Sequence, residues 1–288
     1  MTAFARLRRA DALTAVAAAT VVSLTACAFA PTGSDAGAAP ASEGALQTVT
    51  AGKLTIATGE PAFSPWVEND DPASGEGFEA AVADAVATKL GFSKDDVVWV
   101  RSTFDSAIAP GAKDWDLNLQ QFSITEQRKQ AVDFSSPYYT TTQAIVSTGS
   151  SPAASATTVA ELKNIPVGVM SATTSYQVAA DQLGTGNLSV FNSNDDAVAA
   201  LQAGQVDAIV VDLPTAFYLA GAVLDDGKVV GQLPDSSAGG DELAFVLPKG
   251  SALTTPVTEA VDALREDGTL DELQQTWLGG TDAAPLLK

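Results

Sequence analysis

Asp116 to Tyr139, DLNLQQFSITEQRKQAVDFSSPYY, is the stretch from which the rest of the chain is read. It begins as a strand-like run over Asp116 to Leu119 and passes through polar Gln120, Gln121 and Ser123. Thr125 then predicts the N-cap of a helical turn. Arg128 falls one turn in, near free backbone N–H groups and the positive end of the helix dipole. A guanidinium there, beside the Ser123 hydroxyl, suits a planar anion such as a carboxylate. A solvated helix charge is the commoner fate of an arginine, and from these residues alone both readings stand.

Upstream, Lys53 to Thr58 reads as a short apolar strand. Gly75 to Leu90 carries Phe78, Val82, Ala85, Val86 and Leu90 at helical spacing, with Gly91 as a stop. Val97 to Val100 is a second strand and Asp116 to Leu119 a third. Downstream, Thr140 to Thr148 is extended, and Gly149 to Pro152 breaks the pattern. A second alternating set follows, with strands at Ile165 to Met170, Leu188 to Phe191 and Ala208 to Val211. Helices are expected at Thr158 to Leu162, Thr174 to Leu183, Asp195 to Ala203 and Pro214 to Val223. A strand at Leu243 to Leu247 and helices at Thr255 to Glu266 and Leu270 to Leu278 finish the chain. Such alternation implies an α/β protein with parallel strands covered by helices.

Two further polar points follow strand ends. Met170 runs into Ser171-Ala172-Thr173-Thr174-Ser175, where hydroxyls and free N–H groups at a helix start form an anion site or, more simply, an N-cap. Asp212 follows the apolar run Ala208 to Val211, and either caps the next helix or faces a crevice and accepts from an ammonium. The loops after Thr58, Leu119, Met170 and Val211 all lie at carboxyl ends of strands, the edge at which open α/β sheets bind ligands. The first of them, Gly59 to Trp66, supplies Phe63 and Trp66 as a candidate apolar or cation–π wall, with Glu60 beside them.

Ser123-Ile124-Thr125-Glu126-Gln127-Arg128, followed by Val132-Asp133-Phe134-Ser135-Ser136-Pro137-Tyr138, resembles bacterial extracellular solute-binding protein family 3, the amino-acid receptors of ABC importers. Gly77-Phe78-Glu79 fits another of that family's signatures, with Ala81 in place of its second acid; Phe78 and Glu79 are read as belonging to a packing helix. The resemblance covers about residues 50 to 280. It implies a two-lobed periplasmic-binding fold of type II, each lobe a mostly parallel sheet flanked by helices, joined by two hinge strands near 143–147 and 232–241. Lobe 1 would be 51–145 plus 239–288, and lobe 2 would be 146–238. It further implies Arg128 as the holder of a ligand α-carboxylate, assisted by Ser123, Thr173 and Thr174, and Asp212, in Asp207-Ala208-Ile209-Val210-Val211-Asp212, as the acceptor for the α-ammonium. Gln120, Gln121 and Phe122 replace the family's small residues. Gln121 is therefore expected at the ligand side chain, either accepting a polar group or narrowing the pocket.

The address is read from the start of the chain. Arg6, Arg8 and Arg9 precede apolar Ala12 to Val22, which is too short to span a bilayer, and Leu24-Thr25-Ala26-Cys27 matches a bacterial lipobox. Residues 1–26 are expected to be a lipoprotein signal peptide and Cys27, the chain's single cysteine, the site of acylation. Residues 27–50, rich in Ala, Gly, Pro and Ser, read as a flexible tether. That makes the protein extracytoplasmic, anchored on the outer face of the cell membrane or in the periplasm.

A formal net charge of −20 over 288 residues argues against binding nucleic acid or anionic lipid by charge. The chain has no histidine, which removes Ser-His-Asp triads, Cys-His pairs and histidine-based zinc sites. No cofactor or metal is implied. The expectation is a monomeric receptor, not an enzyme, that hands a free amino acid to the transmembrane subunits of an ABC permease. The alternatives are a periplasmic dehydratase of cyclohexadienyl type and a sensory or adhesive lipoprotein on the same fold.

Overall fold

The computed structural model describes residues 46–234, 240–279 and 284–288. The expected signal peptide, Cys27 and most of the expected tether lie outside the described residues.

Two five-stranded sheets carry the fold. The first is built from β1 (Leu54–Thr58), β2 (Val97–Arg101), β3 (Leu117–Asn118), β4 (Val132–Thr141) and β10 (Asp241–Pro248), in the order β2-β1-β3-β10-β4. The second is built from β5 (Gln143–Thr148), β6 (Val167–Met170), β7 (Leu188–Phe191), β8 (Ala208–Asp212) and β9 (Gly227–Gln232), in the order β7-β6-β8-β5-β9. In each sheet four strands run one way and one is reversed, β10 in the first and β5 in the second. The reversal follows from the connections. Both β5 and β10 enter their sheets from the other lobe, so each starts at the edge where its neighbours end, and Gln143 of β5 pairs with Asp212 of β8.

Helices α1 (Phe78–Lys89), α7 (Thr254–Glu266) and α8 (Thr269–Leu278) cover one face of the first sheet, and the short α2 (Phe104–Ile108) lies on the other. The second sheet is flanked by α3 (Val159–Leu162), α4 (Thr174–Leu183), α5 (Asn194–Gln202) and α6 (Leu213–Tyr218), the last continuing as a π turn over Leu219–Val223.

Strand periodicity sorts the cores. On β8, Ile209 and Val211 join one apolar cluster while Ala208 and Val210 join the cluster on the opposite face. On β1 all five residues are buried, as expected of a strand covered on both faces. One glycine is required by close approach: Gly77, just before α1, has φ +101°, and a Cβ there would lie 2.6 Å from the Trp66 carbonyl oxygen.

Several expectations are corrected. Arg128 does not sit in a helix; Arg128–Gln130 is a single 3₁₀ turn, because β4 starts at Val132 and pairs with β10. No helix dipole therefore stands behind the guanidinium. The extended run 140–148 is divided at Thr142, since β4 belongs to the first sheet and β5 to the second, so the second lobe starts at Gln143 and not at 146. Strand β9 and helix α2 were not expected. The last five residues also leave the first lobe: Leu286 bridges Gln232, and Leu287 is buried in the second lobe's core. The folded body begins before residue 51, because Leu46 packs on the first lobe and the Val49 N–H donates to Asp116 at 2.7 Å.

Candidate functional site

A cavity of about 310 Å³ lies between the lobes, at the small end of the range for small-molecule sites. Thr58, Met170 and Asp212, at the carboxyl ends of β1, β6 and β8, border it together with the loops that follow.

Arg128 enters from the first lobe. It is 7% exposed, its Nη1 donates to the Ser123 carbonyl at 2.7 Å, and its Nη2 donates across the cleft to the Ala172 carbonyl at 2.9 Å. The guanidinium lies 5.3 Å from the centre of the Phe104 ring, which itself stacks on Phe122. Burial lowers its pKa, and the charges of Asp241 and Asp212 oppose that shift. Among the described residues no carboxylate forms an ion pair with it, so a buried cation with donors to spare faces the cavity.

Ala172, where the resembled family commonly has glycine, adopts φ +59° and keeps the left-handed turn that aims its carbonyl at Arg128. For a residue with a Cβ that conformation costs about 1–2 kcal/mol. The Thr173 hydroxyl is occupied: it donates to Met170 O and accepts from the Tyr176 N–H, capping α4. Thr174 is the hydroxyl that faces the other lobe, 3.1 Å from Ser123 Oγ. Thr174 and Ser175, whose backbone N–H groups precede the capped Tyr176 N–H and have no acceptor inside the helix, border the same space.

Asp212 stands opposite. It occupies the N-cap position of α6 but makes no capping bond, so its carboxylate is left for the cavity. Gln143 Nε2 donates to its Oδ1 at 2.7 Å. Burial, and then the neighbouring Asp241, push its pKa up to about 7, while the Gln143 bond and Arg128 pull it down.

Gln121 borders the cavity, but with φ +53° it directs its groups at Glu79: the backbone N–H donates to Oε1 at 2.7 Å and the side-chain amide to Oε2. The Tyr138 hydroxyl donates to the same carboxylate. Burial raises the Glu79 pKa to about 7 against those three bonds. Phe63, at 39% exposure, lines the mouth as a free aromatic face. Trp66 is spent differently. It is 2% exposed, packs edge-on against Phe78 and Tyr139, and donates its indole N–H across the cleft to Thr215 Oγ1 at 2.9 Å.

Sequence reasoning missed Phe104, Glu79 and the segment Asn192 to Asp195, which runs into α5; all of them border the cavity. Phe104 and the 192–195 segment follow the carboxyl ends of β2 and β7, so the strand-end rule applied to those two strands would have found them. Glu79 is assigned to helix packing in the sequence reading; its signal was an acid in the apolar first half of α1, Phe78-Glu79-Ala80-Ala81-Val82-Ala83. Among the described residues the charged lining is thus Glu60, Glu79, Asp195 and Asp212 around the cation Arg128.

Known proteins resemble the chain over this same span. An L-arginine-binding protein of Pseudomonas aeruginosa is 29% identical over 239 residues, covering 81% of this chain and 90% of the relative. The solved structure of an ancestral arginine-binding protein bound to glutamine superposes with a TM-score of 0.66 at 31% identity, covering 80% of this chain and 99% of that one. The ancestral amino-acid-binding protein AncCDT-1, a precursor of cyclohexadienyl dehydratase, gives 0.64 at 30% identity, covering 78% and 95%. The model of the bacterial extracellular solute-binding proteins, family 3, matches residues 54–280. With two sheets joined around one polar cavity and a family match over most of its length, the chain belongs to the bacterial extracellular solute-binding proteins, family 3.

Proposed function

We propose that the cleft captures a free amino acid as its zwitterion and presents it to an ABC importer. The observation that carries this reading is the pairing of buried Arg128 with the half-buried carboxyl of Asp212, on opposite lobes of a single cavity. Arg128 takes the α-carboxylate, with the Ser123 and Thr174 hydroxyls and the first N–H groups of α4 beside it. Thr173 contributes backbone only, its hydroxyl being used by the cap. Asp212 takes the α-ammonium. A ligand that spans both lobes binds the closed arrangement better than the open one, and that difference drives closure. The bonds Arg128–Ala172, Ser123–Thr174 and Trp66–Thr215 already join the lobes and belong to the closed state.

The ligand's side chain is cationic. Once Arg128 and Asp212 are matched by the zwitterion, the remaining charged groups of the lining are acids, Glu60 and Asp195 at the rim and Glu79 beneath Gln121. Phe63 and Phe104 provide aromatic faces against which a guanidinium or ammonium stacks. The names of the arginine-binding relatives agree with this. Glu79 has both oxygens engaged by Gln121 and Tyr138, which suits a fixed floor of the cavity. The chain is read as a receptor and not as an enzyme, in keeping with the binding-protein names of its relatives. Residues 1–26 are its signal peptide, Cys27 its lipid attachment site and the following residues its tether, so that a monomer held at the outer membrane face reaches the permease.

A thermal-shift screen against the amino acids tests this, since bound ligand raises apparent stability by mass action. Arginine, lysine or ornithine should respond most. Response to none of the amino acids would overturn the reading, and turnover of prephenate or arogenate would replace it with the enzyme.

A further inference from the structure

Gln143 is the first residue after the chain crosses at Thr142, and it is 4% exposed. Its one amide meets three partners. Nε2 donates to Asp212 Oδ1 at 2.7 Å and to Asp241 Oδ2 at 2.8 Å, and Oε1 accepts from the Ser175 hydroxyl at 2.7 Å. Asp241 is the first residue of β10, at the end of the return crossing, and Ser175 lies in the first turn of α4. The backbone joins the same knot: Leu213 N donates to Thr142 O at 2.9 Å and Leu233 N donates to Gln143 O at 2.8 Å. One side chain therefore touches the entry to the second lobe, the entry to the first lobe and the acid that faces the ligand.

We propose that Gln143 is a positioning residue, whose single amide group holds the ammonium-binding carboxylate of Asp212 beside the carboxylate of Asp241 and so ties the ligand site to both crossings between the lobes. The inference rests on the amino-acid reading of the cleft only for the word ammonium; the three-partner geometry is independent of it.

Chemistry fixes the amide's orientation. Reversing it would aim a carbonyl oxygen at two carboxylates, so the two acids select the arrangement in which both receive a proton donor, and the Ser175 hydroxyl, able to donate or accept, donates to Oε1. Two carboxylates sharing one nitrogen are close neighbours, and like charges at close range resist joint ionisation. The charged or titratable groups acting on Asp212 are Asp241 from β10, Glu79 from α1, Tyr138 from β4 and Arg128 from the 3₁₀ turn. Asp241 and Glu79 raise its pKa, while Gln143 and Arg128 lower it. Without the amide, Asp212 holds its proton to higher pH and offers the ligand a neutral acid. Gln143 thus keeps the ammonium partner charged as well as aimed.

The test is a pH titration of the full chain labelled with ¹³C at aspartate carboxyls, followed by NMR without ligand, on wild type and Gln143→Met, which keeps length and removes the donor. The Asp212 midpoint, near 7 in the wild type, should rise by roughly one unit, since a hydrogen bond to a charged group is worth about that much. Asp241→Asn in the Gln143→Met background should bring it back down. Arginine affinity of Gln143→Met should fall about fivefold at pH 7 and recover by pH 9. Should Gln143→Met fail to fold, the side-chain amide protons of wild-type Gln143 decide, because they must shift with the Asp212 midpoint. An unmoved midpoint in the variant, an affinity loss equal at every pH, or amide protons indifferent to that titration would each overturn the proposal. If no amino acid binds the wild type while the titrations behave as expected, the functional reading fails and the positioning role stands.

Discussion

Arg128→Met separates what the guanidinium does for folding from what it does for binding. In the ligand-free protein the substitution removes two charge-assisted bonds, to the Ser123 and Ala172 carbonyls, each worth about 1.5–3 kcal/mol. It also removes the cost of holding a charge that is 7% exposed and unpaired with any acid among the described residues, a cost of several kcal/mol. Methionine fills much of the same volume against Phe104. These terms offset, so the melting temperature should move by only a few degrees. Binding has no such offset. The ligand carboxylate would be buried in the cavity with hydroxyls and helix N–H groups but no cation, and losing one partner of a buried pair costs about 3–5 kcal/mol. Affinity for the best amino acid should fall by roughly 10²–10⁴-fold, read by calorimetry at pH 8. Wild-type affinity in a folded variant would refute the carboxylate assignment. So would collapse of the fold without ligand, which would mean that Arg128 is a structural group.

The pKa of about 7 at both Asp212 and Glu79 gives stability and affinity opposite pH responses. Both acids bind protons more tightly folded than unfolded, so their contribution to ligand-free stability grows as pH falls from about 7 towards 4, as urea titrations would read. Affinity for the ammonium falls about tenfold per pH unit over the same window, and Asp212→Asn abolishes that slope. Thr215→Val leaves the Trp66 indole N–H without its acceptor when the lobes close, at a cost of about 1–3 kcal/mol; ligand dissociation measured by stopped flow should quicken about tenfold or more, with little change in ligand-free stability. Gly77→Ala forces a Cβ against the Trp66 carbonyl at positive φ, and should cost about 2–4 kcal/mol by denaturant unfolding.

The elements legible in the sequence were those whose local pattern and tertiary role agree. Strand β1, Leu-Thr-Ile-Ala-Thr, carries no charge because it is buried on both faces, and α4 was read to the residue because Thr173 caps it and Gly184 ends it. Asp212 was ambiguous until geometry showed a cap position without a capping bond. Arg128 was read for its charge, but its turn was misread, because Thr125-Glu126-Gln127 opens like a helix and only the pairing of Val132 with Pro248, far along the chain, cuts it short. Strand β9 was invisible for a related reason: Gly227-Lys228-Val229-Val230 has little strand character until β5 lies beside it. Trp66 and Glu79 each serve twice. An aromatic in a loop reads as a ligand wall and an acid in this helix as packing, yet both are buried and both also border the cavity. Both depend on contacts between segments that no local pattern encodes.

The central claim is that the two lobes grip opposite charges of one small molecule. Calorimetry with arginine, with agmatine, which lacks the carboxylate, and with the 2-hydroxy analogue, which lacks the ammonium, tests it in unmodified protein. Arginine should bind at least about 100-fold more tightly than either analogue, because each leaves Arg128 or Asp212 buried without its partner. An analogue that binds as well as arginine would contradict the account.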